Sequence, residues 1–99
     1  MPGVTRDGDA TTTGHGCDAT TTVTGPSTNV FCNTKGVERK TDPTSAHTIL
    51  SGLSCVPHSA VINAGSAKKV FVNGKLIARI GDSCDAGVIT GGSSNVFAG

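Results

Sequence analysis

Four side chains of this sequence have ligand chemistry and recur at related places: His15, His47, His58 and Cys84. Three of them follow an Arg-x-x-Asp: His15 comes 6 residues after Asp9, His47 comes 5 after Asp42, and Cys84 comes 2 after Asp82. His58 lies just ahead of a hairpin that carries the same pattern. Imidazole nitrogens and a thiolate are the ligands zinc takes most readily, and a His3Cys set fills a tetrahedral site. Cys17, two residues from His15, and Cys55, three before His58, have the same chemistry, and either can stand in for Cys84. A closed set leaves no open position for a substrate, so the expectation is one structural Zn2+ per chain. Cys32, inside a β-prone run, reads as a small buried hydrophobe.

Catalytic signatures are absent: the chain has no Gly-x-Ser-x-Gly, no His-Glu-x-x-His and no phosphate loop. Asp9, Asp42 and Asp82 recur, but a carboxylate at the end of a hairpin serves first as a turn former. The expectation is that the protein is not an enzyme.

The scaffold for these loops is a repeated hairpin. Two β-prone runs flank Asn73-Gly74, the dipeptide that best supports the positive φ angles of a type I′ turn. Shifted back by 40 residues, Val70-Phe71 falls on Val30-Phe31, Asn73 on Asn33, Lys75 on Lys35, Arg79 on Arg39 and Asp82 on Asp42. A third copy is divided between the termini: Gly91 to Phe97 supplies its start, and Arg6-Asp7-Gly8-Asp9 its end. Residues 1–99 therefore read as a single all-β domain. Its repeats span about 23–42 and 61–82, and the third unit is split between 1–9 and 89–99. The free protein is expected to be a monomer imitating threefold symmetry, with loops converging at one end. Because Thr34 replaces Gly74, a longer turn through Gly36 is expected in the first repeat. Residues 43–60 read as a connecting loop with at most one helical turn near 46–51.

Composition narrows the class. The 99 residues include 3 Phe, no Trp, no Tyr and 14 Gly, so the core is small and gains from a cross-link. A net charge of +1 gives no reason to expect nucleic acid as a partner. No apolar run approaches a membrane span, and the start lacks a signal-peptide core. Synthesis in a reducing cytosol is therefore expected, with the 4 Cys as thiols or metal ligands rather than disulfides.

The chain resembles the PAAR-repeat family, which tips the spikes of type VI secretion systems and contractile phage tails. The resemblance rests on Arg6-x-Gly-Asp9, Gly14-His15-Gly16, the stretch from Gly65 through Val70-Phe71-Val72-Asn73-Gly74 to Ala78-Arg79-x-Gly-Asp82, and Gly92-Ser93…Val96. It covers nearly the whole chain, although Leu76-Ile77-Ala78-Arg79 shares only its last two residues with the name-giving motif. It implies a cone with a zinc near the vertex, carried over to His15, His47, His58 and Cys84. It also implies a broad base seated on a trimeric β-helical spike, which the tip sharpens to pierce an envelope. The protein would be made in the bacterial cytoplasm and work at the tip of a virion tail or as a type VI component. Val23, Ile62 and Ile89 each precede a Gly-containing turn at Gly25, Gly65 and Gly91, and are expected to form the spike-binding patch. The competing readings are a disulfide-stapled extracellular adhesin or lectin-like domain and a zinc hydrolase.

Overall fold

The computed structural model describes residues 2–63 and 70–98. The described residues contain no helix. They form five antiparallel pairs: β1 (Ala10–Thr12) with β2 (Thr20–Thr22), β3 (Phe31–Cys32) with β4 (Lys35–Gly36), β5 (His47–Ser51) with β6 (Ser54–His58), β7 (Phe71–Val72) with β8 (Lys75–Leu76), and β9 (Ser83–Cys84) with β10 (Gly87–Val88). The molecule is elongated, with principal extents of 42 × 23 × 23 Å. Gly65, at the start of the second repeat, lies outside the described residues.

What joins the hairpins is a set of backbone hydrogen bonds repeated three times around one axis. Thr5 N–H donates to Ala78 O, Ala78 N–H to Glu38 O and Glu38 N–H to Thr5 O, each at 3.0 Å. One layer along, Val23, Ile62 and Ile89 donate to the carbonyls of Asp9, Asp42 and Asp82 at 2.9–3.0 Å. Bridges Arg6↔Val37, Arg39↔Ile77 and Val4↔Arg79 follow the same rule. The N-terminal fragment thus completes the unit that the C-terminal fragment begins, and Gly3↔Phe97 closes the seam.

The Arg-x-x-Asp segments are the corners. Asp9, Asp42 and Asp82 donate their N–H to the carbonyls of Arg6, Arg39 and Arg79 at 3.0–3.1 Å. The third residue of each corner has positive φ: Gly8 at 85°, Thr41 at 79° and Gly81 at 94°. That combination is the type II turn pattern, which favours glycine at this position. The aspartates also accept from the arginines: Arg6 Nε bonds Asp9 Oδ2 at 2.9 Å, and Arg39 Nε bonds Asp42 Oδ2 at 2.8 Å. The recurring carboxylates therefore brace corners.

Two apolar layers lie on the axis. One holds Val4, Cys32, Val37, Val72, Ile77 and Ala98; the other holds Val23, Ile62, Ala78, Cys84 and Ile89. Burying each isoleucine stabilises the fold by about 2–3 kcal/mol. Val23, Ile62 and Ile89 are 0%, 0% and 1% exposed, so they are core and not a docking patch. Equivalent apolar residues around a narrow axis face one another, and β-branched side chains fill the space three copies share. The phenylalanines are too large for that axis and stand outside it, with Phe31, Phe71 and Phe97 at 62%, 61% and 49% exposure.

Two local expectations are corrected. Asn33-Thr34 makes the same two-residue turn as Asn73-Gly74: Cys32 pairs with Lys35 as Val72 pairs with Lys75. Thr34 takes φ of 68° in that turn, because the pairing of the flanking strands dictates the geometry. Residues 43–60 contain the longest hairpin in the described structure, β5–β6, instead of a loop with a helical turn. Gly52, at φ of 63°, turns it.

Candidate metal centre

β5 and β6 place two histidines side by side. His47 opens β5 and His58 closes β6, and the register pairs them directly across the hairpin. In an antiparallel pair such residues project to the same face. His15 reaches the same point from the loop between β1 and β2, where its N–H donates to Thr13 Oγ1 at 3.1 Å. The fourth group is Asp85, in the turn between β9 and β10. Asp85 takes φ of 54°, and Ala86 N–H donates to Thr13 O at 3.0 Å, tying that turn to the His15 loop.

The three rings face one carboxylate. His15 Nε2 lies 2.7 Å from Asp85 Oδ1, His47 Nε2 3.0 Å from Oδ2, and His58 Nε2 3.3 Å from Oδ2. The His58 ring stands edge-on to both neighbours, with centroids 5.1 Å from His15 and 5.0 Å from His47. The His47 and Asp85 side chains are 2% and 8% exposed, while those of His15 and His58 remain about a quarter open, at 26% and 29%. Burial pushes the Asp85 carboxyl up, and the three histidine hydrogen bonds outweigh it, leaving it below the usual carboxylate range.

The donor arithmetic leaves room for a cation here. His47 Nδ1 lies 2.9 Å from Ser45 O, which only accepts, so Nδ1 carries a proton. In the neutral ring, Nε2 then presents a lone pair to the Asp85 carboxylate, which also only accepts. A positive ion seated there would satisfy both groups. A carbonyl bond at Nδ1 is the usual way a protein orients a histidine that ligates through Nε2. Ligands about 2.0 Å from a tetrahedral zinc are about 3.3 Å apart. The observed separations of 2.7–3.4 Å bracket that value. His15, His58 and Asp85 offer ligand atoms all within 4.8 Å of one another and can hold a metal ion.

Of the sequence-predicted ligands, the structure brings together His15, His47 and His58. It does not bring Cys84 to them as the fourth group. Cys84 is 0% exposed and packs with Val23, Ile62, Ala78 and Ile89. Its bridge to Ile62 corresponds to the bridges Val23↔Thr44 and Thr11↔Ile89, so Cys84 fills the axial place of a threonine. Burial raises its thiol pKa, opposite to what a thiolate ligand needs. The next residue, Asp85, faces the rings. It is an acidic residue outside the Arg-x-x-Asp frame and beside the only cysteine of the β9–β10 turn, a signal that was open to sequence reasoning. Neither alternative sulfur is a free ligand: Cys17 and Cys55 form a disulfide, contrary to the expectation of thiols. Their separation of 38 residues concealed a proximity made by the His15 loop crossing β5 at Cys17↔Ile49. Cys32 is buried and free.

No family model matches the chain, and no curated protein matches it.

Proposed function

We propose that this protein is a non-enzymatic tip that caps a threefold-symmetric, β-helical spike of a contractile tail or type VI machine, and that zinc stabilises its far end. The observation that carries this reading is the exposed trio Phe31, Phe71 and Phe97. Each stands immediately before a member of one axial layer, Cys32, Val72 or Ala98, and immediately after a valine. Val30 and Val96 are themselves 36% and 40% exposed. A single chain that repeats one apolar set around an internal threefold axis fits a partner whose own three chains end around one axis. Exposed apolar sets of this kind mark interaction surfaces. This trio takes the docking role that the buried Val23, Ile62 and Ile89 cannot fill.

The cluster of His15, His47, His58 and Asp85 adjoins the other axial layer, through Cys84. Zinc there would join the β1–β2 loop, the β5–β6 hairpin and the β9–β10 turn, where the described residues offer histidines and short turns in place of an apolar core. Structural zinc contributes its binding free energy to the fold. The test is co-purification with a trimeric β-helical spike. Phe31→Asp with Phe71→Asp should abolish the complex while circular dichroism and metal content stay unchanged; a complex that survives in the folded double variant rejects the docking surface.

A second reading, a disulfide-stapled extracellular adhesin, is favoured by the Cys17–Cys55 bond. It needs no spike, and glycan or surface binding that persists in the phenylalanine double variant would support it instead.

A further inference from the structure

We infer that the Cys17–Cys55 disulfide is a redox latch on the histidine cluster, closing it when oxidised and loosening His58 when reduced by a dithiol. The inference rests on the metal reading above for its consequence, but not for its first observable.

The bond joins two of the three ligand-bearing segments. Cys17 lies two residues beyond His15, and Cys55 three residues before His58. The His15 loop is held to β5 by other means: Asp18 N–H donates to Thr48 O at 3.2 Å, and Thr48 N–H and Oγ1 donate to Asp18 Oδ2 at 2.8 and 2.9 Å. Those bonds keep His15 and His47 in register whatever the sulfurs do. β6 is itself held by its pairing with β5, and the disulfide is the direct covalent link from the loop to β6. His58 is also the most loosely seated ring, at 3.3 Å from Asp85 against 2.7 and 3.0 Å for the others. Releasing Cys55 therefore acts first on the ligand with the weakest hold.

Both cysteines are exposed, so a thiolate can reach them. Exchange runs through attack on one sulfur, a mixed disulfide and release of the second. Written out, the protein disulfide and a dithiol give two protein thiols and the dithiol's own disulfide; two electrons and two protons pass to Cys17 and Cys55. The other two cysteines, Cys32 and Cys84, are buried and take no part. A protein assembled under reducing conditions would thus carry an open cluster, and delivery to an oxidising compartment would close it.

The first measurement uses metal-free protein and follows the ring resonances of the three histidines by NMR, before and after reduction with tris(carboxyethyl)phosphine. Alkylation mapping confirms which cysteines opened. His58 should shift and broaden more than His47, and Cys17→Ser with Cys55→Ser should reproduce the reduced spectrum without reductant. Equal shifts at all three rings, or none, overturn the latch. The second measurement titrates zinc into both forms. Loss of the positioning bond should weaken binding about ten- to a hundredfold. Unchanged affinity overturns the functional consequence, as does tighter binding, which would mean the freed thiolates have become ligands. If neither form binds zinc, the metal reading falls, and the NMR result alone decides the latch. Reductant must have no further effect on the double serine variant; an effect there places the change elsewhere and rejects the proposal.

Discussion

Glu38 is the most unusual side chain in the fold. It stands on the axis in the ring with Thr5 and Ala78, fully buried, and neither carboxylate oxygen has a hydrogen-bond partner. Small residues at the two equivalent positions leave room for its length. Burial pushes its pKa up from 4.5 to about 9, and Asp42, Asp7 and Asp9 push the same way while Arg39 opposes them. The unfolded chain ionises this group near 4.5 and the folded chain holds its proton to about 9. Its ionisation therefore takes nothing from stability below the lower value, and stability falls as pH rises between the two. The slope is about 1.4 kcal/mol per pH unit. Glu38→Gln should remove this slope, so that urea midpoints at pH 5 and pH 8 draw together; a variant as pH-sensitive as the parent would show that Glu38 is not held neutral. At the histidine cluster, Asp85→Asn keeps the shape and removes the charge facing three rings. Zinc affinity should fall by more than about tenfold, whereas Cys84→Ser should leave zinc stoichiometry intact. Zinc lost from the serine variant, in protein that remains folded, would restore the thiol as a ligand.

Turn chemistry controls the hairpins, and here two copies of one element differ. Asn33-Thr34 and Asn73-Gly74 adopt one geometry, with Thr34 at φ of 68° and Gly74 at 79°. A β-branched residue in the left-handed region is strained by roughly 1–2 kcal/mol. Glycine relieves that strain but adds backbone freedom to the unfolded chain, worth roughly 0.5–1 kcal/mol. Thr34→Gly should therefore stabilise the protein by about 0.5–1 kcal/mol, visible as a higher urea midpoint with an unchanged m-value. A lower midpoint would mean that the threonine side chain contributes more than its backbone strain takes away. The β5–β6 hairpin differs in kind. It carries Leu50 and Leu53 at 57% and 103% exposure, so packing contributes little at its turn. The disulfide holds it one pair from its tip, and the Thr48–Asp18 bonds and the histidine cluster hold its base.

At the scale of the molecule, stability should be uneven along the long axis. The hydrogen-bonded ring of Thr5, Glu38 and Ala78 lies between two apolar layers, whereas the histidine end depends on turns, one disulfide and the cluster. Zinc added to the histidine cluster should slow amide exchange first in β5 and β6, while the protection of Thr5, Glu38 and Ala78 stays as it is. Uniform slowing across the chain would show that the fold responds to the ion as one cooperative unit. Light scattering of the free protein should give a monomer, since the three units that close around the axis all come from one chain.

Local pattern determined the strand-rich class, the Asn73-Gly74 turn, the repeat spacing and the convergence of three histidines, because each depends on residue types at short, regular intervals. A repeat of 40 residues with a matching pair of end fragments specifies equivalent places around an axis, and equivalent loops emerge together. Only the tertiary structure decided which way the equivalent residues face. Val23, Ile62 and Ile89 look the same on paper whether they point to the axis or to a partner; the hydrogen-bond phase of the three-sided stack turns them inward and leaves the phenylalanines outside. That same phase buries Cys84 where threonines stand in the other units and turns Asp85, one residue on, toward the rings. The pairing of Cys17 with Cys55 was hidden for a related reason. It depends on a loop and a hairpin tip meeting across 38 residues of sequence, and no local spacing encodes a contact at that range.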